Sequence, residues 1–213
     1  MDQLLALFPL NTVLFPGGML PLHIFEDRYK EMIGRCIALR EPFGVVLIRD
    51  GFEVGGLATP HEVGTTAAIT SAIRLSNGQM FISAEGRSRF RVEQTIQSEP
   101  YMIARVEVLD EQMTVEHHLQ ARQLRDLYER YRAAMAHVAS SEQALPDLPD
   151  DPVAMSFQLS TRLQVPYQSK QQLLEAELET RLEALIAAIG DELRFLPQPS
   201  DPPPPADGRW TLN

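Results

Sequence analysis

Apolar positions in the first half of the chain come in short runs broken by proline and glycine, and later settle into a helical period. "LALFPL" and "TVLF" are two such runs, separated by Asn11, with Pro9 and Pro16 at margins where a missing N–H is tolerated; both predict strands. Pro16-Gly17-Gly18 marks a turn, because glycine accepts the positive φ that other residues resist. From Asp27 the period changes. Tyr29, Met32, Ile33, Cys36 and Ile37 fall at i, i+3, i+4, i+7 and i+8, which predicts one face of a helix ending before Pro42. "FGVVLI" (Phe43–Ile48) then reads as a buried strand, followed by a glycine-rich loop, "RDGFEVGGLATPHEVG". "TAAITSAIRL", "QMFISAEG", "RSRFRVEQ" and "MIARVEV" complete the strands, with Asn77-Gly78 predicting a two-residue hairpin. Five or six short strands with one helix predict a small barrel-like sheet rather than alternating strand–helix units.

After Glu111 the pattern is helical. Leu124, Tyr128, Tyr131, Met135 and Val138 step by 4, 3, 4 and 3, a seam suited to helix packing. "SSEQALPDLPD" predicts a loop, and Asp151-Pro152 joins an N-cap residue to proline at the first helical position. Ser169 to Gln172 fits a capping box. Leu178, Leu182, Leu185, Ile186, Ile189 and Leu193 form the stripe of the last helix, which carries Gly190 in its interior. "PQPSDPPPPADGRW" reads as an extended, solvated tail; its alternative is a polyproline ligand or a Trp210 latch.

Composition narrows the picture. Of 213 residues, 44% are hydrophobic and 23% charged, as in ordinary globular proteins. The formal net charge of -10 repels phosphate backbones unless basic residues gather on one face. One cysteine, Cys36, makes no internal disulfide and suits a reducing compartment. Asp2 in place of a basic cluster, with prolines in the first apolar run, argues against a secretory signal, and no apolar stretch reaches the roughly 18 residues of a membrane span. The expectation is a cytoplasmic soluble protein.

The stretch "LFPLNTVLFPGGMLPLHIFEDRYKEMI" resembles the opening signature of the Lon protease amino-terminal domain, a P-L-x-x-x-x-x-P-x-x-x-x-P-L pattern followed by a helix. "EVGTTAAITSAIRLSNGQMFISAEGRSRFRV" is similar to that domain's second signature, and "DPVAMSFQLSTRL" and the "KQQLLE" turn agree with its helical part. The likeness runs in order from about Leu5 to Leu196. It implies an α+β fold: a PUA-like small β-barrel with one helix over residues 1–112, an α-helical bundle subdomain over 113–197, and the Pro-rich tail at 198–213. In Lon proteases this domain precedes ATPase and peptidase modules and helps select polypeptide substrates. The resemblance therefore implies a stand-alone, proteolysis-related substrate-recognition protein.

Catalytic constellations are missing from the sequence. The two lysines, Lys30 and Lys170, follow Tyr29 and Ser169, so no P-loop exists. Ser169 and Lys170 are adjacent and cannot face each other on a helix as a peptidase dyad. Cys36 lies on the apolar helix face, where an inert buried thiol is expected in preference to a nucleophile paired with His23 or His61. His117 and His118 diverge by about 100° on a helix, and together with His137 they have no metal-ligand spacing. No catalytic residue, metal or cofactor is expected.

The resemblance implies binding instead: its partners would be unfolded or apolar polypeptide segments, without ATP, held in an apolar groove at the barrel–helical junction or by strand addition at an open barrel edge. Phe15 and Met19 flank the Pro-Gly-Gly turn, and Phe52 and Leu57 lie in the glycine-rich loop; exposed apolar loop residues suit varied apolar partners. The alternative is nucleic-acid binding. Arg87, Arg89 and Arg91 alternate with Ser88, Phe90 and Val92, which puts three guanidinium groups on one strand face, and PUA-like folds include RNA binders. The acidic net charge weighs against it.

Overall fold

The computed structural model describes residues 3–53, 55, 58–138 and 145–196. In chain order the elements are β1 (Gln3–Leu10), β2 (Met19–Ile24), α1 (Asp27–Leu39), β3 (Phe43–Gly51), β4 (Ala58–Arg74), β5 (Met80–Gln97) and β6 (Met102–Val108). Then follow α2 (Val115–Val138), α3 (Pro152–Arg162), α4 (Tyr167–Glu175) and α5 (Leu178–Phe195). The fold is α+β, and the change from strands to helices falls where the hydrophobic period changes.

The strands form one sheet in the order β2-β5-β4-β3-β1-β6, and β6 also pairs with β5. That second pairing closes β1, β3, β4, β5 and β6 into a ring and leaves β2 attached on one side only. β5 serves both neighbours because it is long: Met80–Glu85 pair with β2, and Phe90–Gln97 pair with β6. β1 runs parallel to β3, a pairing that needs a crossover, here supplied by β2 and α1. Both faces of β1 are buried. Leu5 and Leu7 pack with Val46, Phe90, Ala104 and Val106, while Phe8 and Leu10 pack with Tyr29, Met32, Ile33 and Cys36 of α1. The Phe90 ring fits because Gly44 and Gly64 carry no Cβ; one at either position would come within 2.8 Å of it.

The helical core comes from the predicted stripes. Leu124 and Tyr128 of α2 meet Met155 and Leu159 of α3 and Leu178, Leu182, Leu185, Ile189 and Leu193 of α5. Asp151 caps α3, accepting the Ala154 N–H at 2.7 Å. A separate cluster of Phe15, Val63, Phe157, Leu173 and Leu174 joins the strands to the helices.

Several local expectations differ. Thr12–Phe15 is not a strand: Leu14 and Phe15 are buried plugs, and Leu14 O accepts the Thr65 hydroxyl at 2.6 Å. The unpredicted β2 contains Pro21, which an edge strand tolerates. The glycine-rich loop is shorter than expected, because β4 already begins at Ala58. "QMFISAEG" and "RSRFRVEQ" are one strand with a bulge, since Gly86 and Arg89 stand opposite Ala67 and Thr65. The hairpin turn holds three residues, Ser76–Gly78, because Leu75 donates to Gln79 O at 2.8 Å and Gly78 takes a positive φ of 81°. Ser169 caps nothing: α4 starts at Tyr167 with Pro166 before it.

Candidate functional site

The outer face of the sheet carries an apolar row. Met80, Ile82 and Ala84 of β5 point into the core, so Phe81 points out, 48% exposed on the side that ordinarily carries polar residues. Phe81 stands between His23 of β2 and Ile73 of β4, which is 65% exposed. The His23 ring stacks on Phe81 with centroids 4.5 Å apart, and its centroid lies 5.6 Å from that of exposed Phe25. Gln79 Oε1 lies 2.8 Å from His23 Nε2 and orients that ring. Pro21 and Met19 continue the exposed side of β2. These side chains form an exposed, largely apolar row across β2, β5 and β4.

Beside Met19 lies a cleft of about 650 Å³ between the sheet and α3, lined by Gly17, Met19, Arg87, Leu109, Phe157 and Arg162 among others. It occupies the junction where a groove is expected, and its lining is charged as well as apolar. Its inner wall is ionic. Glu111 Oε1 lies 2.7 Å from Arg89 Nη2 and 3.0 Å from Arg181 Nη2. Arg89 also donates to Leu174 O and Ala176 O, and Arg181 to Ser156 Oγ and Ala176 O. The Arg181 guanidinium lies 4.0 Å over the Phe157 ring. Burial pushes the Arg181 pKa down, to about 10, against the opposing pull of Glu111. This network ties β5, the segment after β6, α3 and the α4–α5 turn together.

The residues singled out in sequence land in different places. Phe15 is 1% exposed, packed 6.2 Å from Phe157, and offers no surface to a partner. Met19 is 58% exposed where the strip meets the cleft, and Phe52 is 75% exposed at the end of β3. Leu57 lies outside the described residues, as does Trp210. The three arginines do not share a face. The bulge between Gly86 and Arg89 puts Arg87 out of phase with the other two, and of those Arg89 is buried under Leu174, Ala176 and Glu111 while Arg91 stays exposed; Arg87 is exposed and pairs with Glu85 at 2.9 Å. Phe25, Ile73 and Phe81 were not singled out. Phe81 had a signal in sequence, an apolar residue in the outward phase of an alternating strand.

The reactive groups are quenched. Burial, with Glu41 adding, pushes the Cys36 thiol up to about 11, away from the thiolate a nucleophile needs. Burial lowers the Lys170 pKa, but its ammonium donates to Thr161 O at 2.9 Å. His117 accepts the Thr114 N–H at 3.1 Å, a contact that caps the start of α2. Among the described residues no group of three His, Cys, Asp or Glu side chains could hold a metal ion, and no described helix is long and apolar enough to cross a membrane.

With this geometry in hand, the comparisons are direct. Residues 5–190 match the family described as the ATP-dependent protease La (LON) substrate-binding domain. The chain is 27% identical over 198 residues to Lon protease of Anaeromyxobacter dehalogenans, covering 90% of this chain and 24% of that protein. It is 31% identical over 153 residues to Lon protease of Roseiflexus castenholzii, covering 70% of this chain and 18% of that protein. The chain thus spans a quarter or less of these relatives. The Lon N-terminal domain protein from Xanthomonas campestris superimposes with a TM-score of 0.60 at 26% identity, covering 87% of this chain and 98% of that one. The N-terminal domain of Mycobacterium avium complex Lon protease shares the fold, with a TM-score of 0.66 at 18% identity, covering 89% and 99%. The chain belongs to the Lon substrate-binding domain family.

Proposed function

We propose that the chain is a non-catalytic, ATP-independent module that binds exposed apolar or extended segments of other polypeptides. Membership in a family of substrate-binding domains of an ATP-dependent protease supports a protein partner. The observation that carries the reading is the apolar strip of Ile73, Phe81, Phe25 and Met19, which the described residues leave exposed. Water leaves those side chains only when a partner arrives, so burying them contributes binding energy that the free protein lacks. A shallow strip gives few deeply buried anchors, and the expected affinity is about micromolar.

Within this reading, residues 1–112 are a PUA-like barrel that presents the strip and 113–197 the helical subdomain that braces it, while the Pro-rich stretch 198–213 lies outside the described residues. The setting is cytoplasmic, beside protease-related proteins. Nucleic-acid binding is not proposed, because the Arg-rich face has lost Arg89 to the interior.

Fluorescence anisotropy with reduced, carboxymethylated α-lactalbumin as the unfolded probe tests it. Phe81→Asp with Ile73→Asp should weaken binding at least about tenfold, since about 1.4 kcal/mol suffices, with Tm unchanged and with no effect of added ATP. Unaltered affinity in that variant, or no binding by the wild type, would overturn the proposal.

A further inference from the structure

We infer that the open edge of β2 receives an extended segment of the bound polypeptide as an added strand. This rests on the polypeptide-binding reading above. The ring closure leaves β2 with a neighbour on one side only, β5. The phase of its hydrogen bonds follows from the turn before it: Gly86 N–H donates to Gly18 O at 2.9 Å, and pairing continues through Met19↔Glu85, Leu20↔Ala84 and Leu22↔Ile82. Main-chain groups in an antiparallel ladder turn to the same neighbour at every second residue. Leu20, Leu22 and Ile24 therefore bond to β5, and Met19, Pro21 and His23 turn their main-chain groups to the open side. Proline fits at 21 for this reason, since its missing N–H faces away from β5. The edge offers the N–H of Met19 and His23 and the C=O of Met19, Pro21 and His23. Among the described residues none of these groups has a main-chain partner outside the ladder.

A row of donors and acceptors at strand spacing is complementary to another main chain, which identifies the occupant as an extended polypeptide. Its alternate side chains would join the exposed strip beside Pro21 and His23. The other set would face a cavity of about 140 Å³ lined by apolar Phe8, Leu10, Leu22 and Ile24 and also by Glu26 and Glu53. That space has room for one small side chain, as a cavity of about 150 Å³ takes up benzene. At the Met19 end the added strand would run into the junction cleft.

The test uses a labelled octapeptide of alternating leucine and threonine, flanked by lysines, and two derivatives N-methylated at every leucine or at every threonine. N–H groups of successive residues point to opposite edges of a strand, so one derivative should bind at least tenfold weaker and the other within about threefold of the parent. His23→Pro, which removes an outward donor, should weaken the parent further than His23→Ala does. Equal behaviour of the two derivatives overturns the inference and leaves polypeptide binding intact. So does failure of the octapeptide to bind where carboxymethylated α-lactalbumin binds. If neither probe binds, both readings fall. A dimer in sedimentation that His23→Pro dissociates would make a second copy the occupant, and would also overturn it.

Discussion

Glu111 shows how much one side chain decides here. Its Oε1 receives two guanidinium groups, those of Arg89 and Arg181, in a site nearly closed to solvent. A buried ion cluster of this kind adds little net stability over an apolar replacement, but removing one member strands the others. Glu111→Gln leaves two buried cations facing each other, and urea denaturation should show a loss of about 3 kcal/mol or more. Cys36 gives a pH signature. Unfolded, its thiol ionises near 9; folded, burial holds it protonated to about 11. Between those values the unfolded chain sheds its proton first, so stability should fall as pH rises from 9 to 11, by up to about 2 kcal/mol. Cys36→Ala should flatten that part of the pH profile. The Cys36 environment was legible from its helix face. That of Arg89 was not, because the groups that cover it, Glu111, Leu174 and Ala176, lie 22 to 87 positions along the chain.

Two glycines mark what local pattern can and cannot reveal about an element. Gly190 lies inside α5, and a Cβ added there meets nothing within 4 Å. Gly190→Ala should therefore stabilise the protein by about 1 kcal/mol, read as a higher urea midpoint. Gly86 is the opposite case. A Cβ there would run into the Phe15 carbonyl and come within 3.2 Å of Leu14, at the point where β5 bonds to the Gly17-Gly18 turn. Gly86→Ala should cost about 2 kcal/mol through overpacking. The helical stripes, the α3 cap and the α1 boundary were all readable, because each depends on residues a few positions apart. β2 was missed because Pro21 disguises it, and "TVLF" misled because a buried plug and a strand share the same apolar composition.

At the scale of the whole molecule, the strands and helices are held as one unit. Phe157 is the hub: it packs near Phe15 and lies under Arg181, within a cluster that reaches Val63, Leu173 and Leu174. Gln171 Nε2 of α4 donates to Val63 O of β4 at 2.9 Å, a second tie between the parts. Calorimetry of the wild type should show a single transition. Phe157→Ala should cost about 3–4 kcal/mol and separate that transition into two, since it empties the cluster that couples the parts.

The sequence by itself determined the class of fold, the passage from strands to helices and the family, since periodicity, caps and motif order are written along the chain. The tertiary structure alone decided which apolar groups stay in water and which charges leave it. Exposure depends on which strands become neighbours, and one bulge or one ring closure, made by residues far apart in sequence, reassigns a whole face. That is why Phe15 went inside, Phe81 stayed out and β2 kept an open edge.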